Sequence, residues 1–182
     1  MFEHVGVHHY GEFFAKINAL IGDDGITLLH SIGHMSPPGT ASPWLRKYIF
    51  PGAYSPALSE VFTAVEQASL WVTDLEFLRL HYAKTLAHWC GRFEANRARI
   101  AQMYDERFCR MWEFYLISAE MMFRTGSQLV FHMQLAKKRD AAPIVRDYVT
   151  DAQRRYREIE ADRLEPATGA QLAPARQGRR DA

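Results

Sequence analysis

Few side chains in this sequence stand where they could handle a proton or an anion. His30 closes an apolar run, Ile26-Thr27-Leu28-Leu29-His30, that reads as a strand. Ligands of open α/β sheets bind beyond the carboxyl ends of strands, and an imidazole there suits acid–base work. Glu3 lies just before a helix, where a carboxylate favours the N-terminal end. Tyr82 follows His81 in Leu80-His81-Tyr82-Ala83-Lys84-Thr85-Leu86, at a strand-to-helix junction. Each has a structural reading beside the functional one. His30 also reads as a core histidine with both nitrogens satisfied, Glu3 as a partner of the helix dipole, and Tyr82 as ordinary capping and packing.

Other chemistries are excluded by pattern. His4, His8 and His9 are not supported by any cysteine or carboxylate cluster, and adjacent histidines cannot both face one ion from a helix, so no metal site is expected. The two cysteines, Cys90 and Cys109, are too few for a disulfide framework and read as reduced thiols. No phosphate loop, HExxH pair or nucleophile elbow occurs. Gly6, Gly11 and Gly22 are isolated, so no nucleotide-binding glycine turn is present. The segment from Trp44 to Phe50 joins apolar rings to Arg46 and Lys47, a composition suited to a lipid surface or to a loop that covers a core.

The elements that must position these groups follow from periodicity. A helix is expected from His9 to Ile21, with Phe13, Phe14, Ile17, Leu20 and Ile21 at helical spacing. A strand from Ile26 to Gly33 reads as buried on both faces. The proline-rich stretch from His34 to Ser59 reads as irregular but ordered, because it holds Trp44, Tyr48, Phe50 and Tyr54. Next come a helix over Ala57–Ala68, a strand over Leu70–Leu80, and helices over Tyr82–Ile100 and Asp105–Phe123. A strand over Gln128–Ala136 alternates Leu129, Phe131, Met133 and Leu135 against Val130, His132 and Gln134. Pro143 opens an amphipathic helix to Leu164, and residues 165–182 read as a disordered tail. The expected domains are residues 1–140, 141–164 and 165–182. Strands alternating with helices imply an α/β sheet. Three strands make a poor sheet with an open edge, and no strand feeds the first helix, so a sheet-forming half is expected to be absent.

With 182 residues, 22 basic and 21 acidic side chains, and a net charge of +1, no global field points to nucleic acid. No apolar run reaches the roughly 18 residues of a membrane span, and the N-terminus lacks a signal-peptide pattern.

Several ordered blocks together resemble the cyclopropane-fatty-acyl-phospholipid synthases and the mycolic-acid methyltransferases, over Met1 to about Tyr148. They are Met1-Phe2-Glu3-His4-Val5-Gly6, Leu28-Leu29-His30-Ser31-Ile32-Gly33, Lys47-Tyr48-Ile49-Phe50-Pro51-Gly52, Leu78-Arg79-Leu80-His81-Tyr82-Ala83-Lys84-Thr85-Leu86, Tyr104-Asp105-Glu106-Arg107-Phe108 and Met111-Trp112-Glu113-Phe114-Tyr115-Leu116. The resemblance implies the C-terminal half of a class I methyltransferase, a Rossmann-like doubly wound sheet of seven strands. Its S-adenosylmethionine loop would lie upstream of Met1, so no cofactor-binding residue is expected in this chain.

The implied reaction is methylenation of the cis double bond of unsaturated acyl chains in phospholipids. The alkene takes the sulfonium methyl, and a bound bicarbonate removes a proton as the ring closes. The resemblance carries the bicarbonate site onto Glu3, His30 and Tyr82, and lipid contact is expected at Trp44, Tyr48, Phe50 and Tyr54. Many members have a cysteine where this chain has Ala119, which removes a thiol contact from the pocket. The implied partners are acyl chains at the membrane surface and a second copy in a homodimer, but no nucleic acid. The implied location is cytoplasmic, at the inner membrane face. The competing reading is a non-catalytic remnant that docks on a lipid or a partner.

Overall fold

The computed structural model describes residues 1–164, with side chains described through residue 161. The expected tail at residues 165–182 lies outside the described residues. The chain divides into two compact units, Met1–Ala142 and the segment from Pro143 on.

The first unit is built on three strands: β1 (Ile26–His34), β2 (Trp71–Phe77) and β3 (Gln128–Ala136). Their spatial order is β1-β3-β2, and β3 runs antiparallel to both neighbours. The last strand in sequence therefore occupies the centre. Its residues are mostly buried, as the Leu, Val, Phe and Met of its run require.

Strand alternation sends one set of residues to each face. Leu29, Leu129, Phe131, Met133 and Leu135 point to a face covered by α1 (Tyr10–Leu20) and α3 (Leu58–Gln67). Phe2 completes this core, stacked 4.4 Å from Tyr10 and tilted against Phe13 and Phe14. Gly33 is needed here. A Cβ on it would meet Phe131 at 2.9 Å and the Pro56 carbonyl at 3.1 Å.

Ile32 and Val130 point to the opposite face, under α4 (His81–Ala95) and α6 (Glu106–Thr125). These helices pair through Leu86, Phe93, Cys109, Leu116 and Phe123. The Asp105 carboxylate accepts from Phe108 N at 2.6 Å and so caps α6. Arg97 ties the helices together through Glu94, Glu106 and Glu113.

The structure departs from the sequence reading in five places. β1 is not covered on both faces, because Leu28 is 61% exposed and His30 is exposed beside it. The stretch expected to be irregular contains α2 (Pro43–Tyr48). Ser42 caps it by accepting from Leu45 N, and Pro43 sits at its first turn. β2 ends at Phe77, before Arg79 takes a positive φ of 40°. The helix expected over Tyr82–Ile100 breaks at Asn96, whose side-chain amide donates to the Arg92 carbonyl, and continues as α5 (Arg97–Met103). In the second unit, α7 spans Asp147–Leu164 rather than starting at Pro143.

Candidate active site

The first turn of the chain places Glu3. The 3-10 turn Phe2–His4 is anchored by the buried Phe2 ring, and the Glu3 carbonyl accepts from Tyr54 N at 3.2 Å. The carboxylate then reaches β1. Its Oε1 accepts from Ile32 N at 2.8 Å, and its Oε2 lies 3.1 Å from the Met1 amino group. Ile32 N is an edge donor of β1, pointing away from β3. Burial pushes the Glu3 carboxyl up, but the hydrogen bonds from Ile32 N–H and its own N–H, with the Met1 amino group, outweigh that and hold it below the ordinary value.

Tyr82 enters from the other side, on the first turn of α4. Its ring packs 4.9 Å from Phe123 and 5.9 Å from Trp89. Burial pushes its hydroxyl up, and the nearby Glu3 charge pushes it further. Glu3 and Tyr82 are thus within electrostatic reach across the half-covered face. Tyr115 of α6 joins them. Its hydroxyl is raised by burial and by Tyr82, and its ring meets Phe50 edge-on at 5.9 Å. Ala119 packs against the same α4–α6 cluster.

His30 stands on the same face as Ile32, two residues earlier in β1. It is exposed, and its Nδ1 lies 2.8 Å from Nε2 of His132. The core-histidine reading of His30 therefore does not describe this structure.

The four residues expected at the lipid divide among three places. Trp44 and Tyr48 pack together at 5.6 Å, and Trp44 meets Phe114 at 4.8 Å. They line a groove of about 500 Å³ with Phe108, Met111 and Phe114, rimmed by Arg107 and Arg110. Phe50 bridges toward the active-site cluster through Tyr115. Tyr54 lies elsewhere. Its hydroxyl donates to the Glu60 carboxylate at 2.7 Å, and its ring packs on the α1–α3 core. Burial and Glu60 push that hydroxyl up to about 12. Glu60 is also occupied as the α3 cap, accepting from Ala57 N. Among the described residues no group of three metal-ligating side chains is assembled.

Two residues of the site were not singled out by sequence reasoning: Tyr115 and His132. The alternation of β3 put His132 on one face with Val130 and Gln134. The register that sets it opposite His30 is a tertiary fact.

The model of the mycolic acid cyclopropane synthetase family matches residues 1–133. The chain belongs to that family. Among curated relatives, it is 36% identical over 124 residues to the cyclopropane-fatty-acyl-phospholipid synthase of Escherichia coli K12. It is 33% identical over 142 residues to the sphingolipid C9-methyltransferase A of Emericella nidulans. These matches cover 68% and 75% of this chain but 32% and 28% of the relatives, so it spans about a third of their length. Among solved structures, the cyclopropane synthase MmaA2 from Mycobacterium tuberculosis aligns with a TM-score of 0.70 and 26% identity, over 75% of this chain and 52% of that one. The mycolic acid cyclopropane synthase CmaA1, complexed with SAH and CTAB, aligns with a TM-score of 0.67 and 29% identity, over 74% of this chain and 52% of that one. In this synthetase-family chain the fold is accordingly part of a class I methyltransferase.

Proposed function

We propose that this chain supplies the acyl-chain and proton-handling side of an S-adenosylmethionine-dependent lipid methyltransferase, acting on the double bond of unsaturated phospholipid acyl chains. The observation that carries the reading is the Glu3 carboxylate, held ionised on Ile32 N–H beside the Tyr82 hydroxyl and the apolar α4–α6 cluster. Membership of the synthetase family and the lipid-modifying names of its relatives support it.

S-adenosylmethionine would supply the electrophilic methyl. Among the described residues no strand-to-helix glycine turn that would hold it is formed. The glycines with positive φ, Gly6 and Gly52, lie in turns that precede a 3-10 turn and follow α2, not in a strand-to-helix loop. No cofactor contact is therefore assigned here.

Bicarbonate fits better. An ionised carboxylate can stand beside that anion when the O–H of bicarbonate donates to it. The Tyr82 hydroxyl, kept neutral by burial and by Glu3, can donate to another of its oxygens. His30, on the same face as Ile32, would exchange a proton with it. Leu86, Leu116 and Phe123, which surround Tyr82 and Ala119, provide an apolar wall suited to an acyl chain and to excluding water.

Carbon-13 NMR of labelled bicarbonate titrated with the chain tests the base site. Broadening is expected with the wild type, and its loss with Tyr82→Phe and Glu3→Gln. Broadening that both variants leave unchanged would remove these residues from the site. Mass spectrometry of phospholipids from cells producing a protein that contains this chain tests the reaction. A methylene-bridged acyl chain supports cyclopropanation, and a methyl branch supports simple methyl addition.

A second reading, a lipid-docking chain without catalysis, is favoured by the Trp44–Tyr48–Phe114 groove. Arg107 and Arg110 line it with Asp105, and neither arginine forms an ion pair among the described residues. Sedimentation with anionic vesicles, without any change in the lipid, would select it.

A further inference from the structure

One row of polar side chains crosses all three strands on the half-covered face. His30 of β1 faces His132 of β3, and Glu76 of β2 faces the same His132. His30 Nδ1 and His132 Nε2 are 2.8 Å apart. The other nitrogen of His132, Nδ1, lies 3.8 Å from Glu76 Oε2. The ring centroids are 4.9 Å apart and the planes are inclined by 46°, so the rings meet through their nitrogens rather than by stacking. Ile32 N points away from β3 to Glu3, so the even-numbered residues of β1 form the non-hydrogen-bonded pairs, where facing side chains stand closest.

Two nitrogens this close must share one proton, because two N–H groups would collide and two lone pairs would repel. The outer neighbour decides which ring owns it. At 3.8 Å Glu76 makes no hydrogen bond to His132, but its negative charge favours the His132 proton on the nearer nitrogen, Nδ1. A neutral imidazole has a single N–H, which leaves His132 Nε2 bare. The bridging proton then belongs to His30 Nδ1, and by the same count His30 Nε2 is bare.

We propose that His132 and Glu76 are positioning residues for His30, holding its neutral ring in the Nδ1–H form so that Nε2 presents a lone pair to the site. The row can then accept one proton. The Nε2 lone pair takes it from a bound acidic O–H, and the electrons of that O–H bond remain on the oxygen. The positive charge is shared between the two rings and faced by Glu76. In that state His30 Nε2 has become a donor toward an anion. The row thus changes from acceptor to donor on one proton.

The surroundings agree. Burial, His30 and His81 of α4 push the His132 imidazole down, while Glu76 pushes it up; the net effect holds it below the ordinary value, so the His132 ring is neutral near neutral pH. Asp74, one row away on β2 opposite Gln134, stands on the same side of the sheet as Glu76.

The inference rests on His30 belonging to the proposed site, but its test reads the ring itself. Nitrogen-15 NMR of histidine side chains in the 182-residue chain distinguishes the two tautomers. Near neutral pH, His30 is expected to carry its proton on Nδ1. In His132→Leu it should shift to the Nε2–H form that free histidine prefers. Glu76→Gln changes a half-exposed side chain and should leave the fold intact while lowering the pH at which His132 takes up its proton.

A wild-type His30 protonated on Nε2 near neutral pH overturns the proposal, whatever becomes of His132→Leu. So does a tautomer and titration unchanged in both variants. A chain that converts lipid but shows the other tautomer would refute the row and leave the proposed function standing. A catalytically silent chain with the expected tautomer would do the reverse.

Discussion

The two faces of the sheet use the same strands and are finished differently. The face under α1 and α3 is closed. Phe2, Tyr10, Phe14, Val61, Phe131 and Met133 are all but fully buried there, and Glu60 accepts from both Ala57 N and the Tyr54 hydroxyl. The face under α4 and α6 is closed only at its Ile32–Val130 end. Beyond that it leaves Leu28 and His30 exposed and His132 partly so. All three residues proposed for proton handling belong to the open face. A closed face makes the chain fold, and a half-open one leaves room for a ligand.

The sharpest test of the contrast sets a core truncation on the closed face against removal of a helix cap on the open one. Phe131→Ala on the closed face should cost about 3–5 kcal/mol by denaturant unfolding. A loss below about 1 kcal/mol would mean that the core is not packed as described. Asp105→Ala removes the α6 cap that holds the open-face helix pair, and should cost about 0.5–2 kcal/mol.

Next are two pH limbs, one from each face. The folded-state pKa of Glu3 is depressed below 4.5, so its stabilisation is present above that pH and is lost as pH falls through the folded value. Glu3→Gln should therefore flatten the acid limb of a stability–pH curve. Tyr54 is raised from 10.0 to about 12, so its contribution is full below pH 10 and is lost as pH rises toward 12. Tyr54→Phe should flatten that alkaline limb, and an unchanged limb would break the Tyr54–Glu60 assignment.

The smallest effect is expected at Phe114, which is 55% exposed beside Trp44. Phe114→Ala should stay within about 0.5 kcal/mol while weakening sedimentation with anionic vesicles. A large loss of stability would turn the groove into a core.

Periodicity located most elements of the fold. α1, β1 and β3 lie within a residue or so of their expected bounds, because long apolar alternation leaves little choice. What failed depended on single residues or on tertiary cover. The Asn96 break turns on one side-chain amide bonding to Arg92, which no apolar stripe records. β1 read as buried on both faces because Ile26 and Leu28 are apolar, yet exposure is set by where α4 and α6 end. Glu3 and Tyr82 stand out one at a time by their places at element ends, but their joint role comes from family resemblance, since 79 positions separate them in the chain. His132 was visible only as a polar interruption in a core strand. Its pairing with His30 and Glu76 needed the order β1-β3-β2.

The outer edge of β1 has a dynamic consequence. Ile32 N and His34 N find Glu3 and Pro56, but the alternation leaves the amides of Ile26, Leu28 and His30 with no backbone acceptor among the described residues. Their neighbours Thr27, Leu29 and Ser31 point into the ladder with β3. Deuterium uptake along β1 should therefore alternate residue by residue, fast then slow, like a comb with every other tooth engaged. Anything that lays an extended backbone along that edge would erase the alternation, so the strand carries its own gauge of whether its edge is occupied.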